Sequence, residues 1–282
     1  MDHLSASRQY VIEPDNYIST LRGMIDKTVL ELSDLPGGTL YIKKNRKKVQ
    51  YYHRIGGPGD HRIYIKQDNI ALAARLAQKD YDQKLLKLLN SLLDDAYKAS
   101  NLSCILYVPK NFYAAIDNIF FSLSCERQRL VTPIISTTKQ FVKEWLDEPY
   151  EKKGFHPDDT SAYFTRNGER VRSKSELYIA DTIDYAGIPC KYECPLILGS
   201  KVLHPDFTLL DVSNRQVKYL EHCGMMDNPD YSDSFIWKIN FYQSHGIIPG
   251  DNLILTFESS NRPLDTRIID NILEYHFPAI KK

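Results

Sequence analysis

Between residues 173 and 276 the apolar residues change their period in a fixed order, and that order limits the folds open to the chain. A helical pattern over 173–186 leads into three strand-like runs near 190–197, 203–211 and 216–223. A helical stretch over 230–245 follows, then the apolar run 252–257 and a closing helix over 265–276. Consecutive strands can pair as antiparallel neighbours, whereas a strand reached through a helix can enter in parallel. The expectation is an α/β (α+β) fold, a mixed four-stranded sheet flanked by helices.

The preceding half reads differently. Ile18, Leu21, Ile25 and Leu32 stand at near-helical spacing within 15–34, and Pro36, Gly37 and Gly38 stop that helix. The short runs 39–43, 49–54 and 62–66 are separated by a polar turn at Asn45 and a Gly/Pro-rich turn over 56–59. They predict a three-stranded meander. Residues 68–99 read as helix in two parts that break near Asp80, with Leu85, Leu86, Leu88, Leu89, Leu92 and Leu93 supplying a dense core face. Further helices are expected over 111–122 and 138–147, the second capped by Ser136 or Thr137. Residues 148–172, rich in Lys, Asp, Gly and Pro, predict a boundary between an N-terminal region, 1–150, and a C-terminal domain, 151–282.

The chain holds 36 Lys+Arg and 36 Asp+Glu, yet this balance is a cancellation. Residues 1–150 carry about +4 and residues 151–282 about −4, while 41–90 alone carry about +8. Net zero therefore excludes only a uniformly basic binder. Five cysteines in 282 residues do not make a disulfide framework. No run approaches the ~18 apolar residues of a membrane span, and residues 1–10 lack a secretory signal pattern. A cytoplasmic protein with no membrane partner is expected.

Three acids stand where this framework brings chemistry together. Asp206 lies on the strand face of His204 and Thr208, and Glu221 on that of Val217, Tyr219 and Cys223. A hairpin across Ser213 and Asn214 lets both carboxylates reach one divalent cation, and Mg²⁺ suits such oxygen donors. Glu176 shares a helix face with Ala180 and Ile183 and so points toward packing. Ser173 and Glu176 equally match a capping box, in which the acid serves the helix end.

These residues resemble the PD-(D/E)XK (restriction-endonuclease-like) nucleases over roughly 165–277. The matching pieces are Ser173 and Glu176 opening a helix, Gly187 with Tyr192 and Glu193, and Pro205, Asp206 and Thr208. They continue with Glu221, His222 and Gly224, Lys238 and Tyr242 on the next helix, and Thr256 with Glu258. The resemblance implies a Mg²⁺- or Mn²⁺-dependent endonuclease that hydrolyses DNA, in which Asp206 and Glu221 hold the metal with the His222 carbonyl and Glu176 completes the cluster. The family's usual lysine falls at Cys223, and a thiol supplies no fixed positive charge. The resemblance implies Lys238 as the replacement, since relatives with a migrated lysine place it on the neighbouring helix, and Tyr231, Phe235 and Tyr242 share its helix face; the alternative is a lysine that snorkels past the rings to water. His222 is a second candidate, as a phosphate contact or proton carrier, against a structural histidine.

At 43–48 the chain gathers Lys43, Lys44, Arg46, Lys47 and Lys48, with Tyr52 and Arg54 close by in the meander. Cations mixed with aromatics suit phosphate contact and base stacking, and solvated lysines that blunt a sheet edge are the plain alternative. The expected partner is nucleic acid, DNA before RNA, with a homodimer left open. Two rivals stand beside the nuclease: an inactive nucleic-acid-binding protein on the same fold, and a zinc-binding structural module using Cys190, Cys194, His204, His222 and Cys223.

Overall fold

The computed structural model describes residues 16–45, 48–56, 61–102, 108–109, 111–155 and 162–278. Arg46 and Lys47, two of the expected phosphate contacts, lie outside these. The chain divides into two compact units, 1–141 and 142–282. Among the described residues no helix is long and apolar enough to cross a membrane.

The first unit opens with α1 (Tyr17–Ser33), followed by β1 (Thr39–Asn45), β2 (Lys48–Arg54) and β3 (Arg62–Ile65), an antiparallel sheet in that order. Next come α2 (Ile70–Leu102), α3 (Phe112–Phe121) and the single turn α4 (Cys125–Gln128). Its core joins Tyr17, Leu21 and Met24 of α1 to Leu76, Tyr81, Leu85 and Leu89 of α2, and to Phe112 and Ile116 of α3. One face of the sheet closes this core through Leu40 and Ile65.

The expected break at Asp80 is absent: α2 runs unbroken for 33 residues. Both acids in that stretch are accommodated within the helical path. Asp80 pairs with Lys84 one turn on and with Arg127, while buried Asp82 accepts a 2.8 Å hydrogen bond from Gln78, one turn back. The helix α5 (Thr138–Asp147) spans the unit boundary, and Thr137 caps it, its hydroxyl accepting from the Gln140 amide.

The second unit holds the ribbon β4 (Tyr163–Phe164) and β5 (Arg170–Val171), then α6 (Lys174–Tyr185) and β6 (Cys190–Tyr192). A separate hairpin pairs β7 (Leu196–Leu198) with β8 (Lys201–Leu203). β9 (Phe207–Asp211), β10 (Gln216–Cys223), α7 (Pro229–Gln243), β11 (Leu253–Phe257) and α8 (Thr266–His276) complete it. The main sheet has the order β11-β10-β9-β6, with β10 and β11 parallel and the other pairs antiparallel. This is the mixed four-stranded sheet that the element order predicts.

The extended run over 190–197 is not one strand. Glu193, at φ +47°, turns the chain out of the sheet and sends the next residues into the β7–β8 hairpin. Alternation then gives each face of the sheet its own cover. Phe207, Leu209, Leu220 and Ile254 pack with Ile179 and Ile183 of α6 and with Ile269 and Leu273 of α8. Tyr219, Leu253 and Leu255 pack with Ile239 and Tyr242 of α7.

Candidate active site

The turn between β9 and β10 sets the register that builds the site. Asp211 accepts from the Ser213 amide and hydroxyl, Asn214 accepts from the Gln216 amide, and Arg215 takes the left-handed conformation at φ +58°. The resulting ladder ends on Phe207 paired with Leu220, so Asp206 and Glu221 are the residues that follow the last pair at the same end of the two strands. Asp206 is held from both neighbouring strands: its Oδ2 accepts a 2.7 Å bond from the His222 amide, and its carbonyl accepts from the Glu193 amide at 3.0 Å.

Glu221 is buried and points to the α7 side, where two donors meet it. The Lys238 ammonium lies 2.6 Å from Oε1 and 2.7 Å from Oε2, and the Tyr242 hydroxyl donates to Oε1 at 2.7 Å. Lys238 and Tyr242 stand one turn apart on α7, so one helix face delivers both groups. Lys238 does not snorkel to water; its charge is spent on the carboxylate.

The electrostatics follow from this crowding. Burial pushes the Asp206 carboxyl well above the ordinary carboxylate range, and the Glu221 charge adds to the shift, against the pull of Lys238 and the His222 amide. Burial also raises Glu221, while Lys238 and the Tyr242 hydroxyl hold it down. The Glu176 charge raises both, which sets the third acid within their field. Cys223 shares the Glu221 face; burial pushes its thiol up and the two carboxylates push it further. A thiolate there is strongly disfavoured.

Glu176 itself is engaged with its own helix end. Ser173 accepts from the Glu176 amide at 3.1 Å, as a capping box requires. The returning carboxylate accepts from the Arg172 amide at 3.1 Å, one residue before the cap, and from the Tyr192 hydroxyl at 2.6 Å. Arg172 in turn forms an ion pair with buried Glu193, 2.6 Å at the closer contact. Arg172, Tyr192 and Glu193 thus fix Glu176, a role that only the Tyr192–Glu193 dipeptide hints at in the sequence.

The His222 side chain points away from the acid pair. Its Nδ1 lies 2.9 Å from the Thr256 hydroxyl, and its Nε2 lies 3.3 Å from Glu258 Oε1. Glu258 also accepts from the Ser175 hydroxyl and the Leu264 amide. Burial works to raise its pKa, and these hydrogen bonds outweigh it to leave the group low. What His222 brings to Asp206 is its backbone amide.

Among the described residues no three His, Cys, Asp or Glu side chains stand in metal-ligating geometry. Asp206 and Glu221 are oxygen donors of the kind a hard cation takes, and both are raised by burial and by neighbouring acids, while Lys238 and Tyr242 already meet the Glu221 oxygens. His222 offers its carbonyl at the same strand end.

In the first unit, alternation divides the expected phosphate contacts. Lys43, Lys48, Tyr52 and Arg54 fall on one face of the meander. Lys44 falls on the other and pairs with Glu126 at 2.9 Å.

In comparisons with known proteins, no family model, no curated protein and no solved structure matches the chain.

Proposed function

We propose that the chain is a metal-dependent phosphodiesterase that hydrolyses DNA, with a restriction-endonuclease-like core in the second unit. The observation that carries this reading is half-buried Asp206, held by the His222 amide, beside buried Glu221, with Lys238 shared by both Glu221 oxygens. Asp206 and Glu221 would hold Mg²⁺ or Mn²⁺, with the His222 carbonyl. A bound cation lowers the pKa of an attacking water and offsets charge on the scissile phosphate.

The chain's own residues supply the rest. Lys238 offers the positive charge that Cys223 lacks, ready to follow charge onto a phosphate oxygen. Tyr242 holds Glu221 through a hydrogen bond to Oε1. Glu176, fixed by Tyr192 and Arg172, sharpens the negative field that attracts a cation to the pair.

The test is cleavage of plasmid, single-stranded DNA and RNA with Mg²⁺ or Mn²⁺. Activity in the wild type and none in Asp206→Ala or Glu221→Ala supports the reading; wild-type activity in either variant refutes the site.

A second reading has one observation in its favour. Lys238 already neutralises Glu221, an arrangement that also suits an inactive nucleic-acid-binding protein. Binding without cleavage under Mg²⁺, Mn²⁺ and Ni²⁺ would select it.

A further inference from the structure

The outer face of the three-stranded sheet in the first unit carries a row of tyrosines. The register sets Tyr41 beside Tyr52 and Tyr52 beside Tyr64, with ring centroids 6.1 and 5.5 Å apart. The opposite face is the one that packs into the core through Leu40 and Ile65, so the tyrosine row faces outward, and Tyr64 is 51% exposed. On one side of the row stand Arg54 and Arg62, paired across β2 and β3; on the other stand Lys43 and Gln50. The strand positions on this face hold no Asp or Glu.

Two guanidiniums converge on one ring. Arg62 lies 3.9 Å and Arg54 5.4 Å from the Tyr41 centroid. Neither has a carboxylate partner among the described residues, and the Arg54 Nε is buried without a hydrogen-bond partner. A cross-strand aromatic row alone is explained as sheet stabilisation. Two like charges drawn over the same ring, one partly desolvated, are not: they repel unless an anion lies between them or the ring's quadrupole compensates for both.

We propose that this face binds a single-stranded polynucleotide, its bases stacking on Tyr52 and Tyr64 and its phosphates meeting Arg54 and Arg62. Charge complementarity selects a polyanion. The aromatic row selects a strand whose bases are open, because a duplex hides the base faces that rings can cover. Phosphate contact with a duplex would need the cations and make no use of the tyrosines. The proposal deepens the nucleic-acid reading above and does not depend on the chemistry at Asp206 and Glu221.

The test is anisotropy of a labelled oligonucleotide with the full chain in EDTA, which removes cleavage from the readout. The wild type is expected to bind single-stranded DNA more tightly than the duplex of the same sequence. Tyr64→Ala, at an exposed edge-strand position, should weaken single-strand binding by about 5–150-fold, the effect of losing one stacked base, and leave duplex binding unchanged. Tyr64→Phe should retain binding, which separates lost stacking from a damaged sheet. Arg62→Gln should weaken binding and lower its salt dependence. Single-stranded RNA, run in parallel, identifies the preferred sugar; tight binding of either strand supports the proposal. Equal affinity for duplex and single strand, no effect of Tyr64→Ala, or no binding at all would overturn it. Asp206→Ala should bind as the wild type does; no cleavage by the wild type in Mg²⁺ or Mn²⁺, with single-strand binding intact, counts against the nuclease reading alone.

Discussion

The two units hold their charged groups in opposite ways. On the outer face of the meander, Arg54 and Arg62 lie over the Tyr41 ring with no carboxylate partner among the described residues. In the second unit, Asp206 and Glu221 are crowded inward, their charges offset by Lys238, the Tyr242 hydroxyl and the His222 amide. The first arrangement keeps cations available to an outside anion and discriminates weakly among phosphates. The second raises the energy of its anions by desolvation and suits one small, strongly charged partner. An even count of charged residues conceals both.

Removing the inner arrangement should have the largest effect. Asp206→Ala and Glu221→Ala are each expected to abolish cleavage while leaving oligonucleotide binding in EDTA intact, measured on the same preparations. Loss of binding together with cleavage would mean that the two regions are not functionally separate.

Lys238→Ala should cost about 10²–10³-fold in the single-turnover rate, the usual effect of removing one positioned charge-stabilising group. A near-normal rate would leave Lys238 as a counter-ion for Glu221 and nothing more.

The acid pair also predicts a pH dependence that the arginine face cannot produce. Both carboxyls are raised by burial, and the form that can hold a metal is the deprotonated one. Activity should therefore fall as pH drops through a value above the ordinary carboxylate range of about 4. Raising Mg²⁺ should move this limb to lower pH, since metal and proton compete for the same oxygens. A limb that ignores the metal concentration would place the titrating group elsewhere.

The smallest expected effect is on stability, at a buried acid with no assigned chemistry. Burial raises Asp82 from 3.8 to about 6, and its Oδ2 has no hydrogen-bond partner. The folded state thus favours the protonated acid: the destabilisation is absent below 3.8 and is complete once pH has risen past about 6. Asp82→Asn should raise the thermal midpoint at neutral pH, by an effect on the order of 1 kcal/mol after solvent screening, and change little in acid. An equal gain at both pH values would point to packing instead.

The fold and much of the site were legible where short-range chemistry sets geometry. Ser213 and Asn214 mark a tight turn, and period-2 alternation from that turn is enough to bring Asp206 and Glu221 to the same end of the paired strands. Helical spacing likewise puts Lys238 and Tyr242 on one face. Legibility ends where tertiary partners decide. Glu193 takes a left-handed conformation usually signalled by Gly or Asn, so the break in the run 190–197 has no local mark. The Arg172 amide meets Glu176 from four residues before it, as a helix end allows, whereas Tyr192 reaches Glu176 from a strand and no spacing rule links the two. In the unbroken α2, Asp80 meets Arg127, far along the chain, as well as Lys84 one turn on. On the meander, counting charges suggested one basic tip, whereas alternation separates Lys44 from its neighbours and ties it to Glu126.

The central claim is that Asp206 and Glu221 form one cation site. Titration of Mn²⁺ into the purified chain by calorimetry tests it most directly, with Asp206→Asn and Glu221→Gln as the near-isosteric variants. The account predicts saturable binding by the wild type that each variant loses while retaining a cooperative melting transition. Unchanged Mn²⁺ binding in either folded variant would contradict it.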